Sequence, residues 1–430
     1  MKRLFMSSFV LNIAVMVLNI ATGILMARWL GPYGRGEFAA ATRWAGLLVG
    51  LSAVGLPGAI IYLGKQYRER QRELFGAYLL LGMGFGLLGL LIGEMLLPFL
   101  MGGQSKELLQ YARIAMLCLP FAVLTDGLIG TLQSLNLFRK VMFLRLMSPI
   151  GSLAVIGGLA FAGRIDVPGL IWWNTVLWGL FTFLITLVWV YRTLRPKLSG
   201  LKDNVRQLFR NGVKIYGGSL VSIFGGNFDQ LVLSLALSPY ALGLYAVASS
   251  VGGILPSVVF GALNVFLWPK LMDLPREQRQ RKVERIHALL FYGTSGATLI
   301  GAALLPFALP LLYGHEYEPA VWMGMLMLAA APVRIGCTVL LNYLNTEGKF
   351  HTVSLSEAVS VGTGFAVMMA LLSFAGEEAA AIGIVAATVV KWLFVWIASR
   401  KLGIRFGALF VVHWREDLHR LSSFRKTQKA

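Results

Sequence analysis

A chain of 430 residues that is 57% apolar and only 14% charged has too little polar surface for a soluble fold. Its formal charge of +19 is spread over short segments between apolar runs, which excludes the clustered basic face of a nucleic-acid-binding module. Cys118 and Cys337 stand alone in separate apolar runs, which excludes a disulfide framework and a cysteine metal site.

The apolar runs are about 20 residues long, enough for a helix to cross a hydrocarbon core of about 30 Å. The ten-residue alternating segments of a membrane barrel are absent. Residues 1–30 begin with Lys2 and Arg3, as a signal peptide would, but their apolar stretch is too long and lacks a small-residue cleavage site, so they are the first span. Breaking the runs at charges and Gly/Pro turns predicts twelve spans. Six lie near 7–27, 39–63, 75–100, 108–135, 144–162 and 169–191. Six more lie near 212–236, 242–268, 287–312, 319–345, 353–374 and 379–399. With the N-terminus inside, 31 of the 39 Lys and Arg residues fall in cytoplasmic segments. The positive-inside rule then places both termini of this multi-pass, inner-membrane-type protein in the cytoplasm.

The loop after the first span, ARWLGPYGRGEFAAA at 27–41, has a counterpart at 234–248, SLALSPYALGLYAVA. A shift of 207 pairs Pro32 with Pro239, Tyr33 with Tyr240 and Gly36 with Gly243. Leu96-Leu97-Pro98-Phe99 returns as Leu304-Leu305-Pro306-Phe307, shifted by 208. Leu132, Leu135, Asn136 and Lys140 align with Leu341, Leu344, Asn345 and Lys349, shifted by 209. These anchors predict an all-α membrane fold of two six-helix lobes. Because six is even, both lobes enter the membrane in the same sense and form a parallel repeat about the membrane normal. The expected parts are an N-terminal lobe (1–191), a basic cytoplasmic linker (192–213), a C-terminal lobe (214–402) and a tail (403–430). In the tail, Phe406, Phe410, Trp414, Leu421 and Phe424 recur with basic residues between them, as on an amphipathic helix lying on anionic headgroups. A plain solvated tail is the alternative.

No phosphate-binding GxxxxGK[ST] loop, HExxH, paired CxxC or nucleophile elbow occurs, so the sequence argues for a carrier rather than an enzyme, without a cofactor. The informative groups are the ionisable ones inside apolar runs, each costly unless it faces a cavity or a partner. Arg28, Arg43, Arg113, Arg334 and Lys391 are the basic candidates, and a guanidinium offers a bidentate fork to a phosphate. Arg28, Arg43, Arg113 and the loop residue Arg35 also have the alternative of snorkelling to headgroups. Arg334 and Lys391 lie too deep for that and are expected to face a cavity. Asp126 and Asp229 are candidates for H⁺ or Na⁺ coupling, or else internal counter-ions for arginine. Asn12 and Asn19, seven apart on one face of the first span, would line a polar path for sugar or bond a neighbouring helix. Pro57, Pro256 and Pro306 interrupt spans, as membrane helices often allow.

The loop ARWLGPYGRGEFAAA resembles the signature of Wzx-type polysaccharide flippases, through Arg28, Gly31, Pro32, Gly34 and Gly36. NFDQLVLSLALSPYALGLYAVASSVG, and LLYGHEYEPAVWMGMLML with LNTEGKF, resemble later segments of the same family. The resemblance extends over essentially the whole chain and points to the multidrug/oligosaccharidyl-lipid/polysaccharide exporters. It implies a V of two lobes around a central cavity and alternating access. It also implies a substrate, an oligosaccharide on undecaprenyl pyrophosphate, with membrane lipids and polysaccharide assembly proteins as further partners and no nucleic acid. A cation-coupled drug exporter of the same fold is the first alternative; basic deep charges weigh against it. A membrane enzyme acting on lipid-linked sugars is the second, and the short external connections weigh against that.

Overall fold

The computed structural model describes residues 2–225, 228–272 and 274–411, and among them every regular element is a helix. The order is α1 (Lys2–Ser52), α2 (Leu56–Gln66), α3 (Gln71–Leu100), α4 (Lys106–Met116) and α5 (Leu119–Ser134). Next come α6 (Phe138–Phe161), α7 (Val167–Leu170) with a π-helical turn at Ile171–Leu177, α8 (Trp178–Thr193), α9 (Leu201–Gly225) and α10 (Phe228–Ala236). Then follow α11 (Pro239–Met272), α12 (Arg276–Tyr313), α13 (Ala320–Ala329), α14 (Ala331–Thr346), α15 (Phe350–Ala375) and α16 (Glu378–Arg400). Ten stretches of the described residues are long and apolar enough to cross a membrane. One of them, Leu11–Gln66, takes in the first predicted span from residue 11 onward and the whole of the second. The predicted span at 212–236 includes residues 226 and 227, which lie outside the described residues.

A straight helix of 51 residues would run about 76 Å, more than twice the hydrocarbon thickness. Accordingly α1 breaks at Gly31 (φ 65°, ψ 180°), a conformation that glycine adopts without steric cost. Pro32 follows with no N–H to continue the ladder. In the second copy the equivalent break is made differently. Ser238 Oγ accepts the Ala241 N–H at 3.3 Å, capping α11, and Pro239 is its first residue. A second interruption separates α1 from α2, where Val54 (φ 45°) and Gly55 (φ 68°) are both left-handed. The Leu51 carbonyl there accepts the Val54 N–H at 3.4 Å and the Tyr216 hydroxyl at 2.8 Å. Left-handed backbone is strained for a β-branched residue by about 1–3 kcal/mol. Val54→Gly is therefore expected to raise the unfolding temperature in detergent, whereas a fall would show that packing of the valine outweighs the strain.

The backbone corrects one register of the repeat. α5 and α14 end in the same Schellman turn. Asn136 (φ 58°) N–H bonds to Gln133 O, and Leu137 N–H to Leu132 O. Gly348 (φ 71°) N–H bonds to Asn345 O, and Lys349 N–H to Leu344 O. Asn136 thus corresponds to Gly348, and Phe138 to Phe350 at the start of the next helices, a shift of 212 rather than 209. A three-residue slip on a helix returns almost to the same face, so the apolar pattern alone does not reveal it. Pro98 and Pro120 are 22 residues apart, but Pro306 and Pro332 are 26 apart. The extra residues lengthen the end of α12 and add the 3₁₀ turn His315–Tyr317.

The chain forms two compact units. The first comprises Met1–Ser250, Pro306–Met323 and Met368–Ala381. Its core is built from α2, α3, α5 and α8, around Leu56, Ile60, Phe75, Tyr78, Leu128 and Val190. Tyr78 donates to Val123 O at 2.6 Å, and its ring occupies the space that a Cβ at Gly127 would need. Lipid is as apolar as leucine, so such close approaches, rather than hydrophobic expulsion, hold membrane helices together. The second unit comprises Val251–Leu305, Gly324–Val367 and Ile382–Ala430. Its core includes Val283, Ile335, Tyr343, Trp392 and Leu409. The His287 imidazole is buried there: Trp392 Nε1 donates to Nε2 at 3.2 Å, so Nδ1 carries the proton and donates to Leu409 O at 3.0 Å. Phe406 and Phe410, from the start of the predicted tail helix, pack against Trp392, Trp396 and Phe291. Trp414, Leu421 and Phe424 lie outside the described residues.

Candidate functional site

The two copies of the Pro-Tyr-x-x-Gly loop meet inside the first unit. A Cβ added at Gly36 would overlap the Pro239 carbonyl and stand 2.9 Å from Gly243 N. A Cβ added at Gly243 would overlap the Pro32 carbonyl and stand 3.1 Å from Gly36 N. The contact is reciprocal: equivalent residues of the two copies swap roles, as at a two-fold interface. Only glycine lets these two helix starts approach so closely, because each backbone occupies the place of the other's side chain.

The inserted turn at the end of α12 closes on the same loop. Arg28 Nε donates to Leu312 O at 2.8 Å, and its Nη2 donates to Leu311 O. These carbonyls belong to the last turn of α12, where no intrahelical donor remains and a cation complements the helix dipole. Tyr317 is buried and donates its hydroxyl to Ala27 O at 3.3 Å. Burial raises its phenol pKa well above the ordinary value, so the proton stays available. Glu316 Oε2 sits over Gly31, where a Cβ would stand 3.0 Å from it. Arg35, expected to snorkel, instead points its Nη1 at Met26 Sδ beside Tyr313 and Tyr317. Its Nε is buried with no hydrogen-bond partner among the described residues. The family-loop residues Arg28, Gly31, Pro32 and Gly36 thus form a clasp with α11 and the α12 end. Gly34 packs instead on Leu30 and Val167. Tyr313, Glu316 and Tyr317 were not singled out in sequence; the longer proline spacing in the second copy is the signal that finds them.

The other ionisable candidates fall into three groups. Arg113 pairs with Glu94 across α4 and α3 at 3.4 Å, and Arg43 is half-buried within electrostatic reach of Arg35. Lys391 on α16 forms an ion pair with Glu357 on α15, both largely buried. Glu357 is therefore the partner of a deep lysine. Arg334 and Asp126 differ from these. Each is exposed, and neither side chain makes an ion pair or hydrogen bond among the described residues. Arg334 lies in the first turn of α14, just after the break at Ala330, within the apolar stretch Ala320–Thr346. Asp126 lies midway along α5. Asn12 and Asn19 are exposed on α1, and Asp229 lies on α10 with its side chain outside the described residues.

The ion pair makes a specific prediction. Breaking a buried pair leaves its partner charge uncompensated, whereas replacing both members with apolar residues need not destabilise. Lys391→Met is expected to cost on the order of 3 kcal/mol, and Lys391→Met with Glu357→Leu to recover most of it. Thermal unfolding of the two variants in detergent checks this. An equal loss in both would assign Lys391 a role beyond the pair.

Residues 2–273 match the family described as polysaccharide biosynthesis protein. Comparison with curated proteins finds no match. Among solved structures, the chain is similar to the lipid II flippase MurJ in an inward closed conformation, with a TM-score of 0.68 at 13% identity, covering 94% of this chain and 89% of that one. An inward-facing multidrug resistance MATE family transporter of the MOP superfamily gives 0.67 at 15% identity, covering 92% and 98%. The Vibrio cholerae MATE transporter VcmN in its bent form gives 0.60 at 15% identity, covering 93% and 96%. At these identities the likeness is one of fold, and the family match carries the assignment. The chain has ten helical stretches long and apolar enough to cross a membrane among its described residues, shares the fold of these proteins, and belongs to the polysaccharide biosynthesis protein family.

Proposed function

We propose that this transporter flips an oligosaccharide carried on undecaprenyl pyrophosphate from the cytoplasmic to the outer leaflet of the bacterial inner membrane. The observation that carries this reading is Arg334, an exposed guanidinium within an apolar span and without an acidic partner among the described residues. A cation held there without a partner is a cost unless an anionic substrate uses it, and the arginine fork fits phosphate oxygens bidentately. In this reading twelve spans form two six-helix lobes with both termini cytoplasmic. The Gly36–Gly243 clasp then lies toward the outer face and parts when the headgroup is released. The sugar occupies a polar interior lined in part by Asn12 and Asn19, and the polyprenyl tail stays in lipid.

Asp126 supports a second reading. An exposed intramembrane carboxylate without an ion-pair partner suits H⁺ or Na⁺ coupling, or a cationic drug in a multidrug exporter. Titration of the purified protein with undecaprenyl-pyrophosphate oligosaccharide and, separately, with a lipophilic cation distinguishes the two. Saturable binding of the lipid-linked sugar alone is expected. Saturable binding of the cation alone would overturn the flippase reading.

A further inference from the structure

We infer that a groove between α3 and α9 is a binding site for an anionic phospholipid, with its phosphate on α9 and an acyl chain along α3. The groove, of about 330 Å³, is lined by Leu80, Leu81, Gly84, Phe85 and Leu88 of α3 and by Val205 of α9. Its depth comes from Gly84, where a Cβ would meet no atom within 4 Å. Phe85 and Phe209 stack at 5.9 Å and 7°, fixing the two helices against each other beside it.

The charge beside this apolar slot selects the occupant. Lys202, Arg206 and Arg210 recur every four residues on α9, and all three are exposed. At 100° per residue they fall on the flank next to Val205 and Phe209, while Asn204 and Leu208 face the protein. None of the three side chains makes an ion pair or hydrogen bond among the described residues. The nearby Glu73 is already engaged, accepting from Ser199 at 2.9 Å and pairing with Arg70 at 3.6 Å. Asp203 lies about 160° around the helix from Val205, past the cations at about 60°, 100° and 140°, and so farther from the slot than any of the three. Asn204 meets Glu73 near the starts of α9 and α3, and Phe209 meets Phe85 further along both. The cations therefore begin where the two helices begin, at the connection rich in basic residues, and the apolar slot continues up α3. A phosphodiester fits the first part and a hydrocarbon chain the second. A zwitterionic headgroup would bring a like charge to the same row.

This site is independent of which substrate is carried. The test is native mass spectrometry of the full chain, released from mixed phosphatidylglycerol and phosphatidylcholine. Three proteins are compared: wild type, the triple variant Lys202→Gln/Arg206→Gln/Arg210→Gln, and Gly84→Leu, which fills the slot without touching a charge. Each basic residue near an anionic lipid contributes about fivefold, so the triple variant is expected to lose phosphatidylglycerol preference by on the order of 100-fold. Gly84→Leu is expected to lose retained lipid with its charges intact. Equal retention of the two lipids by wild type would overturn the proposal. So would retention unchanged by Gly84→Leu, which would reduce the row to general attraction for an anionic surface.

Discussion

Replacing Gly36 with alanine is expected to force the two repeat loops apart, and valine to do so more strongly. The added Cβ would overlap the Pro239 carbonyl, which belongs to a helix start and cannot rotate away as a side chain would. Overpacking of this kind costs about 1–3 kcal/mol, a factor of about 5–150 in the population of the closed clasp. The reciprocal contact predicts the same result for Gly243→Ala, through the Pro32 carbonyl. Gly46→Ala is the control, because a Cβ there meets nothing within 4 Å. The readout is labelling of Ala27→Cys by a membrane-impermeant maleimide in a background lacking Cys118 and Cys337. Ala27 is fully buried under Tyr317, so labelling should be slow in that background and faster with Gly36→Ala or Gly243→Ala. Unchanged labelling in both would show that the clasp yields locally and does not hold the loop closed.

The second large effect concerns Arg334. Removing a charge-assisted hydrogen bond to phosphate costs about 1.5–3 kcal/mol, so Arg334→Ala should bind the lipid-linked pyrophosphate about 10–100-fold more weakly. The side chain is exposed and unpaired among the described residues, so its removal should leave the unfolding temperature near that of wild type. Arg334→Lys keeps the charge but loses the planar fork and should fall between the two. This separates Arg334 from Lys391, whose loss should be felt first in stability, through Glu357. Equal binding by wild type and Arg334→Ala would remove this residue from the substrate site.

Much of the fold is legible in the sequence because membrane helices are long, apolar and punctuated. The Pro-Tyr-x-x-Gly loops identify the repeat, and Gly31-Pro32 identifies the break within the first long helix. The equivalence of Gly36 and Gly243 is also legible, but their contact is not, because equivalent positions in a repeat need not touch. The 212-residue register at α5 and α14 is hidden because a shift of three residues preserves the helical face. Among the site candidates, a deep lysine and a carboxylate 34 residues away read separately until adjacent helices bring them together. Arg28 looks like a substrate cation in sequence. Only the geometry reveals that the bare carbonyls of Leu311 and Leu312 use it. Arg334 is the reverse case: its depth in an apolar run is visible in sequence, and the structure leaves its guanidinium exposed.

The most direct measurement is leaflet translocation of undecaprenyl-pyrophosphate oligosaccharide in liposomes containing the purified protein, followed by access of a sugar-cleaving enzyme added outside. The flippase account predicts that lipid-linked sugar initially confined to the inner leaflet becomes accessible with wild type, and more slowly with Arg334→Ala. No protein-dependent gain in accessibility, from wild type that binds the lipid in the same liposomes, would contradict it.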